Sequence, residues 1–275
     1  MTYATVMVHL QLGRSNASLL QTAGDVAERF GAGLIGIATC QPMQIVYGDA
    51  YVPANLIEQD QQEIDRELAA AEAEFRALQG RVSRLEWRSK VTVYSLSRYL
   101  ARQARSADLV VTGVDRDISL FDTTRHADLG DLVMQAGRPV LVVPTMAAGA
   151  KFDRVLVGWK DTREARLAVV NALPFLSKAA RVTVAEIAGK EALAETRTDL
   201  ADVVGWLKHH GIEAEPMVVV SEGDDARQLN AIAEDQGADL IVAGAYGHSR
   251  LREWVLGGVT RDLLVRAGRC SLVSH

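Results

Sequence analysis

The chain has 275 residues, 48% of them apolar and 24% charged, with a formal net charge of −5. This is the composition of a globular protein in water, and the length makes two ordinary domains the expectation. A mildly acidic balance argues against nucleic-acid binding, which needs a basic face, and no stretch approaches the ~20 apolar residues of a membrane span.

From the first residues the chain enters an apolar run, Thr5-Val6-Met7-Val8, without the basic start and cleavage site of a signal peptide. The two cysteines, Cys40 and Cys270, lie far apart in or beside apolar runs, which reads as two buried structural thiols. A cytoplasmic protein with no membrane partner is therefore expected.

Apolar strands alternate with amphipathic helices along the chain. In the first half, Thr5 to Leu10 reads as a strand, Ser15 to Phe30 as a helix ended by Gly31, and Gly33 to Thr39 as a strand. A long helix is expected over Asn55 to Gln79, with Ile64, Leu68, Ala71, Phe75 and Leu78 down one face. Leu85 to Val91, Leu109 to Thr112 and Val140 to Val143 follow as strands, with helices over Ser95 to Ser106 and Leu129 to Ala136. In the second half the strands lie near Val155 to Gly158, Val182 to Ile187, Glu215 to Val220, Leu240 to Ala243 and Ser271 to Val273. Alternation at these lengths implies right-handed crossovers and a parallel sheet with helices on both faces.

The halves are copies. Ala107-Asp108-Leu109-Val110-Val111-Thr112-Gly113 matches Ala238-Asp239-Leu240-Ile241-Val242-Ala243-Gly244, an offset of 131 (238 − 107) that also carries Ala136-Gly137-Arg138 onto Ala267-Gly268-Arg269. The opening strands, Thr5-Val6-Met7-Val8 and Arg154-Val155-Leu156-Val157, are offset by 149 (154 − 5), so the first half carries about 18 extra residues, expected at Gln41 to Gln61. Residues 1–145 and 151–275 are read as two five-stranded doubly wound domains, joined through Thr145 to Ala150 and packed as an intramolecular pair.

Function is sought at Gly244 to Thr260, because open α/β sheets bind ligands at the carboxyl ends of their strands. Gly244 and Gly247 would expose backbone N–H groups in a turn, and Gly257 and Gly258 would open a helix whose N-terminus favours an anion, with the Thr260 hydroxyl in its first turn. Glycines also permit tight turns without any ligand. The repeat separates the two readings: Gly244 corresponds to Gly113, but Gly247, Gly257, Gly258 and Thr260 correspond to Arg116, His126, Ala127 and Leu129. The fold requires only the first glycine, and the others are specific to the second half.

On these residues the sequence resembles the universal stress protein family in its tandem form. The family pattern of Gly, two residues, Gly, nine residues, Gly, then Ser or Thr reads here Gly244-(Ala245-Tyr246)-Gly247-(His248 to Leu256)-Gly257-Gly258. The last position departs, with Gly258 where a hydroxyl is usual. The resemblance implies flavodoxin-like sheets of order 3-2-1-4-5, paired halves, and ATP, ADP, AMP or another adenine nucleotide at the glycine loop, with Mg²⁺ only alongside it. It implies at most slow ATP hydrolysis. Members usually close the first strand with an Asp beside the nucleotide; Lys160 stands there in the second half and Gln11 in the first.

Lys160 reads either as a solvated strand-end lysine or as a cation against phosphate, and His248, Arg250 and Arg252 are open in the same way. His209 and His210, which close a helix before Gly211, lack partners at metal-ligand spacing, so no metal site is expected. Asp224 and Asp225 are expected to cap the next helix. Gly31-Ala32-Gly33-Leu34-Ile35-Gly36 satisfies G-x-G-x-x-G but runs from helix into strand, the reverse of the dinucleotide context. No general base with a partner stands beside the glycine loop, so no catalytic residue is assigned. A nucleotide-binding module, an interaction scaffold without nucleotide that contacts other proteins or itself, and an ATP-consuming enzyme are the three readings, in that order.

Overall fold

The computed structural model describes residues 2–43, 54–114, 124–145, 151–245, 259, 262–266 and 268–275. The first half runs β1 (Thr5–His9), α1 (Ala17–Phe30), β2 (Gly33–Cys40), α2 (Ala54–Arg76), β3 (Leu85–Val91), α3 (Leu96–Gln103), β4 (Leu109–Gly113), α4 (Leu129–Ala136) and β5 (Val140–Val143). The second runs β6 (Arg154–Trp159), α5 (Arg163–Leu176), β7 (Arg181–Ala188), α6 (Leu193–His209), β8 (Ala214–Val220), α7 (Asp225–Asp235), β9 (Leu240–Gly244) and β10 (Cys270–Ser274). After the glycine loop, Val259 is helical and the described residues Asp262–Arg266 are π-helical.

Strand order is β3-β2-β1-β4-β5-β10-β9-β6-β7-β8, so each half has the 3-2-1-4-5 order. Pairing is parallel within each half and antiparallel where they meet, through Ser271↔Val142, Leu272↔Leu141 and Val273↔Val140. The two five-stranded sheets thus join edge to edge into one ten-stranded sheet, which removes two of the four open edges that separate sheets would leave.

Burial on both faces explains the continuous apolar strands. Val6 and Val8 face α1 and α2, whereas Met7 faces α3 and α4; Val155, Val157 and Trp159 repeat the first set and Leu156 the second. Gly36 of the false dinucleotide motif serves this packing, since a Cβ there would lie 2.7 Å from the Phe75 ring of α2, and Gly31 is the left-handed cap of α1 at φ 65°. The extra length of the first half is not confined to Gln41–Gln61: α2 has 23 residues against 17 for α6, and the connection from Arg76 to Leu85 is longer than that from His209 to Ala214.

The repeated Ala-Asp dipeptide has a structural cause. Asp108 accepts from the backbone N–H groups of Ala4 and Thr5 at 2.8 and 2.9 Å, and Asp239 accepts from those of Asp153 and Arg154 at 2.9 and 3.2 Å. Each carboxylate satisfies the donors at the start of the central strand of its half, which the ladder leaves unpaired.

Behind the β5–β10 seam, Tyr3 and Phe30 of the first half pack on Phe175 of the second at ring separations of 5.4 and 5.1 Å, and Phe152 closes on Phe175 at 4.9 Å. The Tyr3 hydroxyl donates to the Asn171 carbonyl at 2.5 Å. Arg29 reaches across to the carbonyls of Lys151 and Lys178 at 2.5 and 2.6 Å. Cys40 and Cys270 are both free and buried, and burial drives the Cys270 thiol up to about 12.

Candidate functional site

In each half the first strand lies between the second and the fourth, so the chain leaves the sheet in opposite directions at its carboxyl end and opens a crevice. In the second half this switch point lies between β6 and β9, which pair through Gly158↔Ala243. Gly244 ends β9 beside the exit of β6 toward α5. A Cβ on Gly244 would lie 2.5 Å from the Ala165 nitrogen and 2.6 Å from the Glu164 carbonyl carbon, both backbone atoms in the first turn of α5. Glycine is thus demanded at Gly244 by the approach of helix to strand, whereas at Gly113, its counterpart in the repeat, a Cβ would meet only the Gln11 side chain.

The connection from β6 to α5 is tight. Thr162 N–H donates to the Lys160 carbonyl at 2.6 Å, and its hydroxyl caps α5 by accepting from Ala165 N–H at 3.2 Å. Lys160 is exposed, and Asp161 pairs with Arg166. Gly158 faces α7, where a Cβ would meet Leu229 at 3.1 Å, while Trp159 faces α5 and α6. Alternation therefore carries Lys160 toward the α7 side of the sheet. Ala245 N–H donates to the Ser274 carbonyl at 2.8 Å, pinning the exit of β9 to β10.

Of the predicted nucleotide-binding residues, Gly244 and Lys160 stand at this one switch point, and Gly247, His248, Gly257, Gly258 and Thr260 lie outside the described residues. Asp224 caps α7 as expected, accepting from Arg227 N–H at 3.0 Å. His209 ends α6 and His210 caps it.

At the corresponding switch point of the first half, Gln11 and Arg125 make contacts of their own, beside an open cleft of about 400 Å³ between the β1–α1 connection and α2. Gln11, the counterpart of Lys160, lies over Gly113, its Oε1 3.3 Å from where a Cβ would sit. Its backbone is held by Asn16, which accepts from Gln11 N–H at 2.8 Å and donates to the Gln11 carbonyl at 3.1 Å. Arg125, with only 12% of its side chain exposed, pairs with Glu67 at 2.8 Å and Asp60 at 3.5 Å and donates to the Gln41 carbonyl at 2.9 Å. It ties the end of β2 to α2 across the space above the strands. Sequence reading missed this role, because Arg125 sits in a segment without periodicity and its partners are more than fifty residues away.

Beneath Arg125, His9 is buried at 3% exposure, with Nδ1 3.1 Å from Thr112 Oγ1. Burial first, and the nearby His126 second, lower its pKa from 6.5 to about 4. Between these values the unfolded chain binds a proton that the folded chain refuses, so stability is full above pH 6.5 and is lost as pH falls toward 4. Urea denaturation at pH 5 is expected to show about 2 kcal/mol less stability than at pH 7.5, with the loss largely absent in His9→Gln. Parallel pH profiles for the two proteins would contradict this assignment.

A scan against protein families matches residues 159–273 to the Universal stress protein family. Universal stress protein MJ0577 of Methanocaldococcus jannaschii is 29% identical over 79 residues, which is 29% of this chain and 48% of that protein. The match thus spans about half the length of that relative. Among solved structures, a universal stress protein from Archaeoglobus fulgidus DSM 4304 superposes with a TM-score of 0.76 at 13% identity, covering 98% of this chain and 95% of its own. A functionally unknown protein, PA1789 from Pseudomonas aeruginosa PAO1, gives 0.61 at 14% identity, covering 99% and 92%. At these identities the likeness is one of fold over nearly the whole chain.

Proposed function

We propose, from the match of residues 159–273 to the Universal stress protein family, that the second half of the chain, 151–275, binds an adenine nucleotide and that the first half, 1–145, is its structural partner. The observation that carries this reading is the asymmetry of the two switch points. In the first half Gln11 lies over Gly113 and Arg125 is held by Glu67 and Asp60, whereas in the second Lys160 is exposed and Gly244 stands against the start of α5. The glycine spacing from Gly244 to Gly258 supplies backbone donors suited to phosphate, and Lys160 is the available cation in place of the usual acid.

The nucleotide is ATP, ADP or AMP, with Mg²⁺ entering only alongside phosphate. The chain acts in the cytoplasm as a stress-response binding module that hydrolyses ATP slowly if at all. Thermal unfolding with each nucleotide, with and without Mg²⁺, tests this. A ligand at one hundred times its Kd adds about 2.7 kcal/mol to stability and raises the midpoint accordingly; unchanged midpoints with all of them would refute the proposal. Lys160 and Gly258 favour a second reading, a scaffold that holds no nucleotide. Adenine absorbance released from freshly purified protein on denaturation would count against it.

A further inference from the structure

On the opposite face of the sheet from Lys160, α5 and α6 leave an open cleft of about 520 Å³ at the end of β6. Its floor is Trp159 and Val169, both buried, and one wall is α6, where Asp199, Asp202, Val203 and Trp206 share a face at i, i+3, i+4 and i+7. The volume lies within the ~300–1,000 Å³ of small-molecule sites, and the mixture of apolar walls with a few polar groups is their usual lining.

Two further observations concern what the cleft lacks. Trp159 is 9% exposed and its indole Nε1 is buried without a hydrogen-bond acceptor, a donor left unsatisfied at the floor. The carboxylates at the rim are also unbalanced. Asp161 is paired with Arg166, but Asp199 and Asp202 have no ion pair among the described residues. Glu186, opposite Trp159 on β7, has its carboxyl raised above the ordinary range by burial first and by Asp161 and Asp199 next, with Lys160 opposing them. Trp206 stands 37% exposed at the mouth, its ring 4.4 Å from that of His210.

We propose that this cleft binds a small organic cation with an aromatic or apolar body, the ammonium or guanidinium lying between Asp199, Asp202 and the face of Trp206, and the body resting on Trp159, Val169 and Val203. Carboxylates confer the sign of the charge, the tryptophans add cation–π attraction, and the valines remove apolar surface from water. The site is separate from the nucleotide crevice, since Trp159 and Lys160 face opposite sides of the sheet.

Tyramine and 4-hydroxyphenylacetate test the inference directly, because they share an aromatic body and differ in the sign of the charge. Isothermal titration is expected to show tyramine binding at least about tenfold more tightly than the anion, with affinity falling as salt is raised. The double variant D199N/D202N, altered only at exposed positions, is expected to fold normally by circular dichroism and to lose at least about tenfold in tyramine affinity. Tyramine is expected to bind equally with and without saturating ATP, so failure here is distinct from failure of the nucleotide reading. Absence of tyramine binding, equal binding of the anion, or unchanged affinity in the double variant would overturn the proposal.

Discussion

Phe175→Ala is expected to cost about 3–5 kcal/mol, measured by urea denaturation. The ring is fully buried and makes edge or tilted contacts with Tyr3, Phe30 and Phe152, residues drawn from the start of β1, the end of α1 and the entry to β6. Truncation leaves a cavity that none of the three can fill without abandoning other partners. Tyr3 is fixed by its hydroxyl on Asn171, and Phe152 holds a left-handed backbone, at φ 50°, that a bulky residue adopts only when its surroundings enforce it. The loss therefore falls on the junction of the halves as much as on the local core. A loss below about 1 kcal/mol would show that the β5–β10 seam holds the halves together without the aromatic cluster.

Gly244→Val is expected to cost more than about 3 kcal/mol, because the added Cβ meets backbone rather than a side chain that can rotate away. At 2.5 Å from the Ala165 nitrogen, it must displace the first turn of α5 and with it the Thr162 cap and the Lys160 connection. The repeat supplies the control. Gly113→Ala brings a Cβ to 3.3 Å from the flexible end of Gln11, and a loss below about 1 kcal/mol is expected there. Chemical denaturation of both variants decides the point, and equal losses would contradict the reading that helix approach, not turn geometry, demands glycine at the end of β9.

Much of this fold is legible in the sequence because both of its periods are strong. Leu85–Val91, Leu129–Ala136 and Val140–Val143 fall where the pattern puts them, and the repeat gives both halves the same succession of elements, while the 3-2-1-4-5 order comes from the family resemblance. The joining of the sheets is not legible in the same way. β5 (VLVV) is wholly apolar and β10 (CSLVS) largely so, and such strands read alike whether a neighbouring strand or a separate sheet covers them. Long-range ion pairs are hidden for a different reason: Arg125 finds Glu67 and Asp60 through tertiary geometry that no local spacing encodes. The Ala-Asp dipeptide stands between these cases, visible as a repeat but explicable only once its carboxylate is seen on the N–H groups of the central strand.

In the candidate site, the sequence picked out Gly244 and Lys160, which the fold brings to one switch point, and the comparison of the two repeats marked the first half as degenerate. At that switch point Gln11 lies over Gly113 and Arg125 is held by Glu67 and Asp60. Trp159 escaped notice because a tryptophan in an apolar strand reads as core, and only its unsatisfied Nε1 and the cleft beside it distinguish it.

The one-sided nucleotide site is tested most directly by the stoichiometry of binding. Isothermal titration with ATP, ADP and AMP, each with and without Mg²⁺, is expected to saturate at one nucleotide per chain for at least one of them, with the same stoichiometry in Gln11→Ala. No heat with any nucleotide, or two equivalents bound per chain, would contradict it.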